Sequence, residues 1–187
     1  MNDFINFCNA ISPLTSEAES DLSLKIKSKS VKKGELINNQ GQICRSLFFI
    51  KRGLVKHYYH HKNRVFVLRI FSENNLFTVL DSFLNQTPAE FITIALEDTA
   101  MLYIDYQDID ELCRKHHSFE TLIRKYISTA TTNTYKRIKE MFDKDAAELY
   151  DSFITENQHL LQRISLGDIA GYIGISQVTL SRIRAKY

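Results

Sequence analysis

The chain has 187 residues, 44% of them hydrophobic and 25% charged, with a formal net charge of +2. That is enough for one good core or two small ones, and the composition lies inside the globular range, away from disordered and collagen-like classes. The longest apolar run, Ala100 to Ile104, is far short of the roughly 18 to 20 residues that a membrane helix requires.

The N-terminus, MNDFINFCNAIS, has neither the basic nor the apolar region of an export signal, so cytoplasm is the expected compartment and no membrane partner is expected. Two helices are predicted first, Asp3 to Ile11 and Ser16 to Ile26. The second opens on Thr15 or Ser16 as cap, with Glu17 and Glu19 at the positive end of its dipole. From Leu47 to Tyr106 the sequence is rich in Phe, Ile, Val, Tyr and Thr, in short runs broken by glycines and polar clusters. Strands are predicted at Ser46 to Lys51, Leu54 to His60, Arg64 to Phe71, Glu90 to Leu96 and Ala100 to Ile104. The turns between them are too short for crossover helices, which implies an antiparallel barrel or sandwich. Cys8, Cys44 and Cys113 are odd in number and widely spaced, fitting neither a disulfide framework nor metal-ligand spacing, so they read as ordinary thiols.

After Asp105 the apolar period changes to three and four, through Phe119, Leu122, Ile123, Tyr126, Ile127, Ala130, Ile138 and Met141. One long helix is predicted, and Ser118 to Phe142 would run about 37 Å, more than a small domain needs to close its own core. Small and polar groups fill its middle, Ser128 to Thr134. These suit either a surface helix leaning on the barrel or, as the length favours, a two-fold helix pair with a pocket beside it, for which Ile123, Ile127, Ala130 and Thr134 are the expected dimer seam. Charge also changes here: residues 1–113 hold 12 basic and 14 acidic side chains, and residues 114–144 hold 8 and 3. Residues 145–156 hold four acidic groups and no basic one, and residues 157–187 hold four basic groups and one acidic. A basic bias of this size permits polyanion binding without requiring it.

The C-terminal stretch ISLGDIAGYIGISQVTLSRIRAKY carries the most specific pattern. Ser165 is placed to cap a helix from Leu166 to Ile173 with Leu166, Ile169, Ala170 and Ile173 inward. Gly174 supplies a left-handed turn, and Ser176 caps a second helix that buries Leu180 and Ile183. A small residue, a glycine and three aliphatics at these offsets are what a helix-turn-helix needs for its crossing, turn and miniature core. With the second helix in a major groove, Gln177, Val178, Ser181 and Arg182 face base edges, Arg182 being suited to guanine and Gln177 to adenine. Ser176, Thr179, Arg184 and Lys186 complete the expected DNA-binding set, with Thr179, Arg184 and Lys186 at phosphates.

On the stretches GELINNQGQICRSLFFIKRGLVKHYY, the long helix, DAAELYDSFITENQHLLQRI and LGDIAGYIGISQVTLSRIRAKY, the chain resembles the Crp/Fnr family of transcription regulators from end to end. The resemblance implies an α+β protein of three parts. Residues 1–113 would form a double-stranded β-helix (jelly-roll) sensor domain like those that bind cyclic nucleotides. Residues 114–144 would form the long dimerisation helix, and residues 145–187 a helix-turn-helix domain. It also implies a homodimer on a palindromic site in double-stranded DNA, RNA polymerase as a further partner, and no enzymatic activity. Members that bind cyclic AMP present a Gly-Glu pair and an Arg-Ser pair, and the matching places here hold Thr78, Val79, Ala89 and Glu90. The arginine that would neutralise the phosphate is absent and Glu90 would repel it, so cyclic AMP is disfavoured and no cofactor is expected. Three scattered cysteines do not reproduce an iron–sulfur cluster. The sequence ends at Tyr187, leaving no room for a β-hairpin wing after the second helix.

His57, His60 and His61 raise a metal-dependent, cupin-like β-roll enzyme as an alternative. On one strand, however, His57 and His61 would lie about 13 Å apart with His60 on the opposite face, and a rim or surface position is expected for all three. A ligand-binding module without DNA-binding activity is the other alternative. Should the roll hold a small ligand, the expected place is between Phe77 to Phe91 and the Thr-rich part of the long helix.

Overall fold

Leu47, Phe48, Phe49 and Ile50 are consecutive and all buried. Neighbours in an extended chain point to opposite faces, so a strand that is apolar at every position must be covered on both sides. The computed structural model, which describes residues 2–62 and 64–185, shows what covers each face.

Helices α1 (Asn2–Ile11) and α2 (Ser16–Lys25) lead into β1 (Lys27–Val31), β2 (Leu36–Asn38), β3 (Ser46–Arg52), β4 (Val55–His61), β5 (Arg64–Phe71) and β6 (Leu76–Phe77). Helix α3 (Leu80–Asn85) separates these from β7 (Ile92–Ala95) and β8 (Thr99–Asp105). The strands form two four-stranded antiparallel sheets, ordered β1-β8-β3-β6 and β2-β7-β4-β5. Phe48 and Ile50 of β3 point between the sheets, where they meet Val55, Phe77, Val79 and Met101. Phe48 stacks on Phe77 at 5.1 Å, and Phe77 on Phe71 at 5.3 Å. Leu47 and Phe49 point the other way, into a second cluster with Phe4, Cys8, Leu22, Ile109, Leu112 and Phe119 from the helices.

Those helices are α1, α2, α4 (Tyr106–Lys115) and the start of α5 (His117–Asp143). The long helix predicted over Ser118 to Phe142 is α5 nearly as it occurs, whereas α4 ahead of it was not predicted. His116 adopts an extended conformation (φ −126°, ψ 108°) and ends α4, its amide donating to Leu112 O at 2.8 Å. The His116 ring is buried, with Nε2 2.7 Å from Asp21 Oδ2. Strands β1, β2 and β6 and helix α3 were not predicted. β1 reads KSKSV and is exposed except at Val31, as befits a polar edge strand. Cys8 and Cys44 are buried free thiols and Cys113 a half-buried one, and burial pushes Cys8 up to about 12.

Beyond α5 come α6 (Ala146–Glu156), a 3-10 turn (Gln158–Leu160), α7 (Leu166–Ile173) and α8 (Gln177–Arg184). Asp145 opens α6 with a complete capping box to Glu148. These helices share a third cluster of Leu149, Phe153, Leu160, Ile169, Ile173 and Leu180, and Leu54 from the β3–β4 turn is fully buried within it. The roll thus supplies part of the core on which the C-terminal helices are built.

Helix α7 lies across the outer face of β5. A Cβ at Gly171 would sit 2.9 Å from the Val65 carbonyl oxygen and 3.1 Å from Val67 Cγ2. Since a strand carbonyl cannot give way cheaply, only glycine permits this approach. Gly171→Ala is expected to cost about 1–3 kcal/mol by overpacking. It should lower the thermal midpoint and speed limited proteolysis between residues 144 and 165, whereas an unchanged midpoint and digestion rate would show that α7 does not depend on this contact.

Candidate nucleic-acid interface and the cavity beside it

The two C-terminal helices are fixed by local chemistry. Ser165 Oγ accepts from the Asp168 amide at 3.1 Å and begins α7. Gly174 at φ +87° ends it, its amide donating to Ala170 O. Ser176 Oγ then accepts from the Thr179 amide at 3.1 Å to start α8. Leu180 is 0% exposed and Ile183 half-buried, so one side of α8 is spent on the core. The other side carries Gln177, Val178 (62% exposed), Thr179, Ser181, Arg182 and Arg184, all facing solvent together with the cap Ser176. Within α8 there are two arginines and no carboxylate, so its outer face is polar, cationic and free for a partner. Lys186 lies outside the described residues.

Charged contacts tie this pair to the roll. Arg163 is held by two carboxylates: Nη1 and Nη2 reach Glu73 at 2.9 and 2.8 Å, and Nε and Nη2 reach Glu97 at 2.9 and 2.8 Å. Glu73 also accepts from the Gly53 amide at 2.8 Å. On the face of β4 turned toward α7, Lys56 pairs with Asp168, with both side chains mostly buried. From α5, the buried Arg137 donates to Tyr172 O at 2.5 Å and sits 4.0 Å over the Tyr172 ring.

A cavity of about 640 Å³ opens between the roll, α1 and the middle of α5. Its apolar walls include Phe7, Ile70, Phe71, Leu76, Phe91 and Tyr126, and its polar groups include Arg69, Thr78, Asp81, Thr129, Asn133 and Thr134. The size is ordinary for a small-molecule site. His57 forms part of the wall and is buried, with Nε2 3.2 Å from Thr78 O and Nδ1 2.9 Å from Thr93 Oγ1. A carbonyl only accepts, so Nε2 carries the proton and the Thr93 hydroxyl donates to Nδ1. Burial lowers the His57 pKa to about 4, and the ring stays neutral at physiological pH. The rim or surface position expected for His57 is thus corrected: it faces inward, between the sheets.

Residues 28–116 match the family model of the cyclic nucleotide-binding domain. No curated protein sequence matches the chain. Among solved structures, FixK2 from Bradyrhizobium japonicum is similar with a TM-score of 0.74 at 16% identity, over 86% of this chain and 83% of that one. A putative Crp/Fnr transcriptional regulator from Eubacterium rectale gives 0.72 at 17% identity, over 91% and 82%. CLP from Xanthomonas campestris, described as a c-di-GMP-responsive global regulator, gives 0.74 at 13% identity, over 92% and 91%. The chain has the Crp/Fnr fold.

Within this Crp/Fnr framework the expected ligand residues separate. Thr78 and Val79 line the cavity. Thr78 Oγ1 is engaged with Ser46 O at 2.9 Å and Cys44 Sγ at 3.3 Å. Ala89 and Glu90 do not line it: the Ala89 backbone is bonded to Gly41 and Gln42, with its side chain buried, and Glu90 is exposed. The residues of the expected dimer seam also meet elements of their own chain. Ile123 packs on the helical cluster of its own chain, and Ala130 and Thr134 line the cavity. Ile127 is half-buried. The face of α5 that remains open instead carries Tyr135 (70% exposed), Ile138, Met141 and Phe142 (85% exposed). The small residues in the middle of α5 border the cavity at the place where the sequence put a pocket, beside the Thr-rich part of the long helix.

Sequence reasoning missed Arg137 and Arg163, which join residues far apart in the chain, and Arg69, which lines the cavity. Among the described residues no group of three His, Cys, Asp or Glu side chains could hold a metal ion, and no helix is long and apolar enough to cross a membrane.

The Arg163 clamp makes docking acid-sensitive. Arg163 holds Glu73 down to about 2 from an ordinary 4.5, and holds Glu97 low as well. A carboxyl whose pKa is depressed by folding adds stability above its unfolded pKa, and that stability is lost as pH falls through the folded value. Denaturant midpoints should therefore fall between pH 4.5 and about 2. Arg163→Met should remove much of that slope, and an identical slope in the variant would show that the clamp contributes none of it.

Proposed function

We propose that this chain is a sequence-specific DNA-binding transcription regulator that acts as a homodimer, with α7 and α8 as its helix-turn-helix. The observation that carries the reading is the exposed cationic side of α8, held rigidly by a fully buried Leu180 and two capped helix starts. A helix presented in this way fits a major groove. Arg182 and Gln177 then read base edges, Val178 offers apolar contact, and Thr179, Arg184 and Lys186 meet phosphates.

The domain limits that suit this reading are residues 1–113 for the roll and its supports, 114–144 for the dimer helix and 145–187 for the DNA-binding part. Tyr135, Ile138 and Phe142 recur at three and four along the open face of α5, the spacing of a paired helix seam. A two-fold pair along this face would give the dimer two copies of α8, suited to half-sites about 34 Å apart in a palindromic operator. RNA polymerase is the further partner such a regulator would meet.

Ligand control follows the same geometry. The cavity touches α5 at Tyr126, Thr129, Asn133 and Thr134, and one turn later Arg137 of that helix holds Tyr172 of α7. A small ligand with different affinities for two settings of α5 would shift α7 and α8 between them. The effector we favour is not cyclic AMP, because the arginine that would meet its phosphate is replaced by Ala89, which does not reach the cavity, and Val79 stands where a ribose-binding carboxylate would.

Gel-shift titration against a randomised DNA pool is expected to select two-fold symmetric sites, with affinity falling steeply as salt rises. Arg182→Ala should cost about 1–3 kcal/mol at the selected site and relax one base position in each half. Unchanged discrimination in that variant would remove Arg182 from base reading, and absence of any selected sequence would refute the DNA-binding reading. Phe142→Glu should turn the dimer into a monomer in sedimentation experiments and weaken operator binding. A variant that remains fully dimeric would place the seam elsewhere.

A further inference from the structure

The cavity contains a charge that the fold does not use. A one-residue register shift in the β4–β5 pairing places Arg69 directly opposite His57, while Val67 stands opposite Tyr58. Paired residues in an antiparallel ladder share a face. Arg69 therefore points to the inner side of the sheet with His57, toward the Phe71 and Phe77 rings. It is half-buried, and it forms no ion pair or hydrogen bond among the described residues.

A guanidinium has five donors and is always charged, so leaving it unpaired in an apolar wall is costly. The other ionised group on the lining, Asp81, is exposed in the first turn of α3, where water and the helix dipole already satisfy it. His57 is neutral and both its nitrogens are engaged. The site therefore offers one fixed, unanswered positive charge beside walls of Phe71, Leu76, Phe91 and Tyr126.

We propose that this cavity binds a small organic anion with a hydrophobic body, its carboxylate paired to Arg69 and its body against the aromatic wall. A planar carboxylate matches the fork of the guanidinium, and the body replaces water on Phe71, Phe91 and Tyr126. A strongly hydrated anion such as a free phosphate would leave those rings uncovered. A neutral hydrocarbon would leave Arg69 without a partner. This deepens the ligand-controlled regulator described above by naming the ligand's chemistry, but the site itself does not depend on DNA binding.

The test uses the full-length chain without DNA. Calorimetric titration compares decanoate with decanol, and 2-naphthoate with 2-naphthalenemethanol, at concentrations where none aggregates. At least one carboxylate should bind once per chain, tighter than its neutral counterpart by about tenfold or more, the range of a hydrogen-bonded charge. Arg69→Met should erase that preference while leaving binding of the alcohol unchanged, and Arg69→Lys should keep part of it. Circular dichroism confirms that each variant is folded, and Arg69→Lys carries the comparison should Arg69→Met fail to fold. Equal binding of acid and alcohol in both pairs, no binding of either acid, or a preference untouched in folded Arg69 variants overturns the proposal. Anion binding that leaves DNA affinity unchanged supports the site and overturns its role as the effector of the regulator.

Discussion

The strand pair β4–β5 is the part on which the rest of the structure depends, because both of its faces are in use. Inward it presents Val55, His57 and Phe71 to the space between the sheets, and outward it presents Lys56, Val67 and Ile70 to the C-terminal helices. The side-chain period of a strand is two, so a slip of one residue would exchange these sets and put lysine into the core. The register shift at Leu68 prevents a simple alternation. It keeps Val67 outward under Gly171 and turns Arg69 inward, so one irregularity sets both the docking surface and the charge of the cavity.

Docking on that outer face combines two kinds of interaction. Leu54 and Ile70 extend the roll into the helical cluster, which contributes roughly 25 cal/mol for each Å² of apolar surface removed from water. Polar contacts then fix the position. The Arg163 fork between Glu73 and Glu97 and the Lys56–Asp168 pair are directional, and their partners are spread over β4, the β5–β6 and β7–β8 turns and α7. Partly buried ion pairs add little net stability against the cost of removing charge from water, but breaking one partner leaves the other exposed to that cost. Such contacts favour one docked arrangement strongly over near neighbours.

Much of this was legible in the sequence, and the exceptions have physical causes. The span of α7 and the caps Ser165 and Ser176 follow from local rules, because a helix start and a glycine turn are decided by a few adjacent residues. The strands with strong apolar content, such as Ser46 to Lys51 and Arg64 to Phe71, were predicted nearly as they occur. By contrast β1, reading KSKSV, has no apolar alternation and forms because β8 offers it a ladder. The break at His116 is held by Asp21, 95 residues away. At the cavity, the sequence pointed to Thr78 and Val79 but not to Arg69. A basic residue in a strand reads as solvent-facing unless the register is known, and the register is set by the bulge.

The position of α5 gives these pieces a common mechanical sense. Its first third is anchored, since Phe119 and Leu122 are fully buried against α1, α4 and β3. Its middle is not packed in this way, because Thr129, Ala130, Asn133 and Thr134 border open space. Beyond that gap Arg137 grips α7, and Tyr135, Ile138 and Phe142 are exposed. A rod fixed at one end, unsupported at the middle and loaded at the other can tilt at low cost. A close-packed interior admits discrete arrangements more readily than continuous ones, so the freedom of α5 is concentrated at its loosely packed middle. The small residues of α5 therefore border the cavity, and one turn further on Arg137 joins the same helix to α7, so the structural link between cavity and C-terminal helices runs through α5.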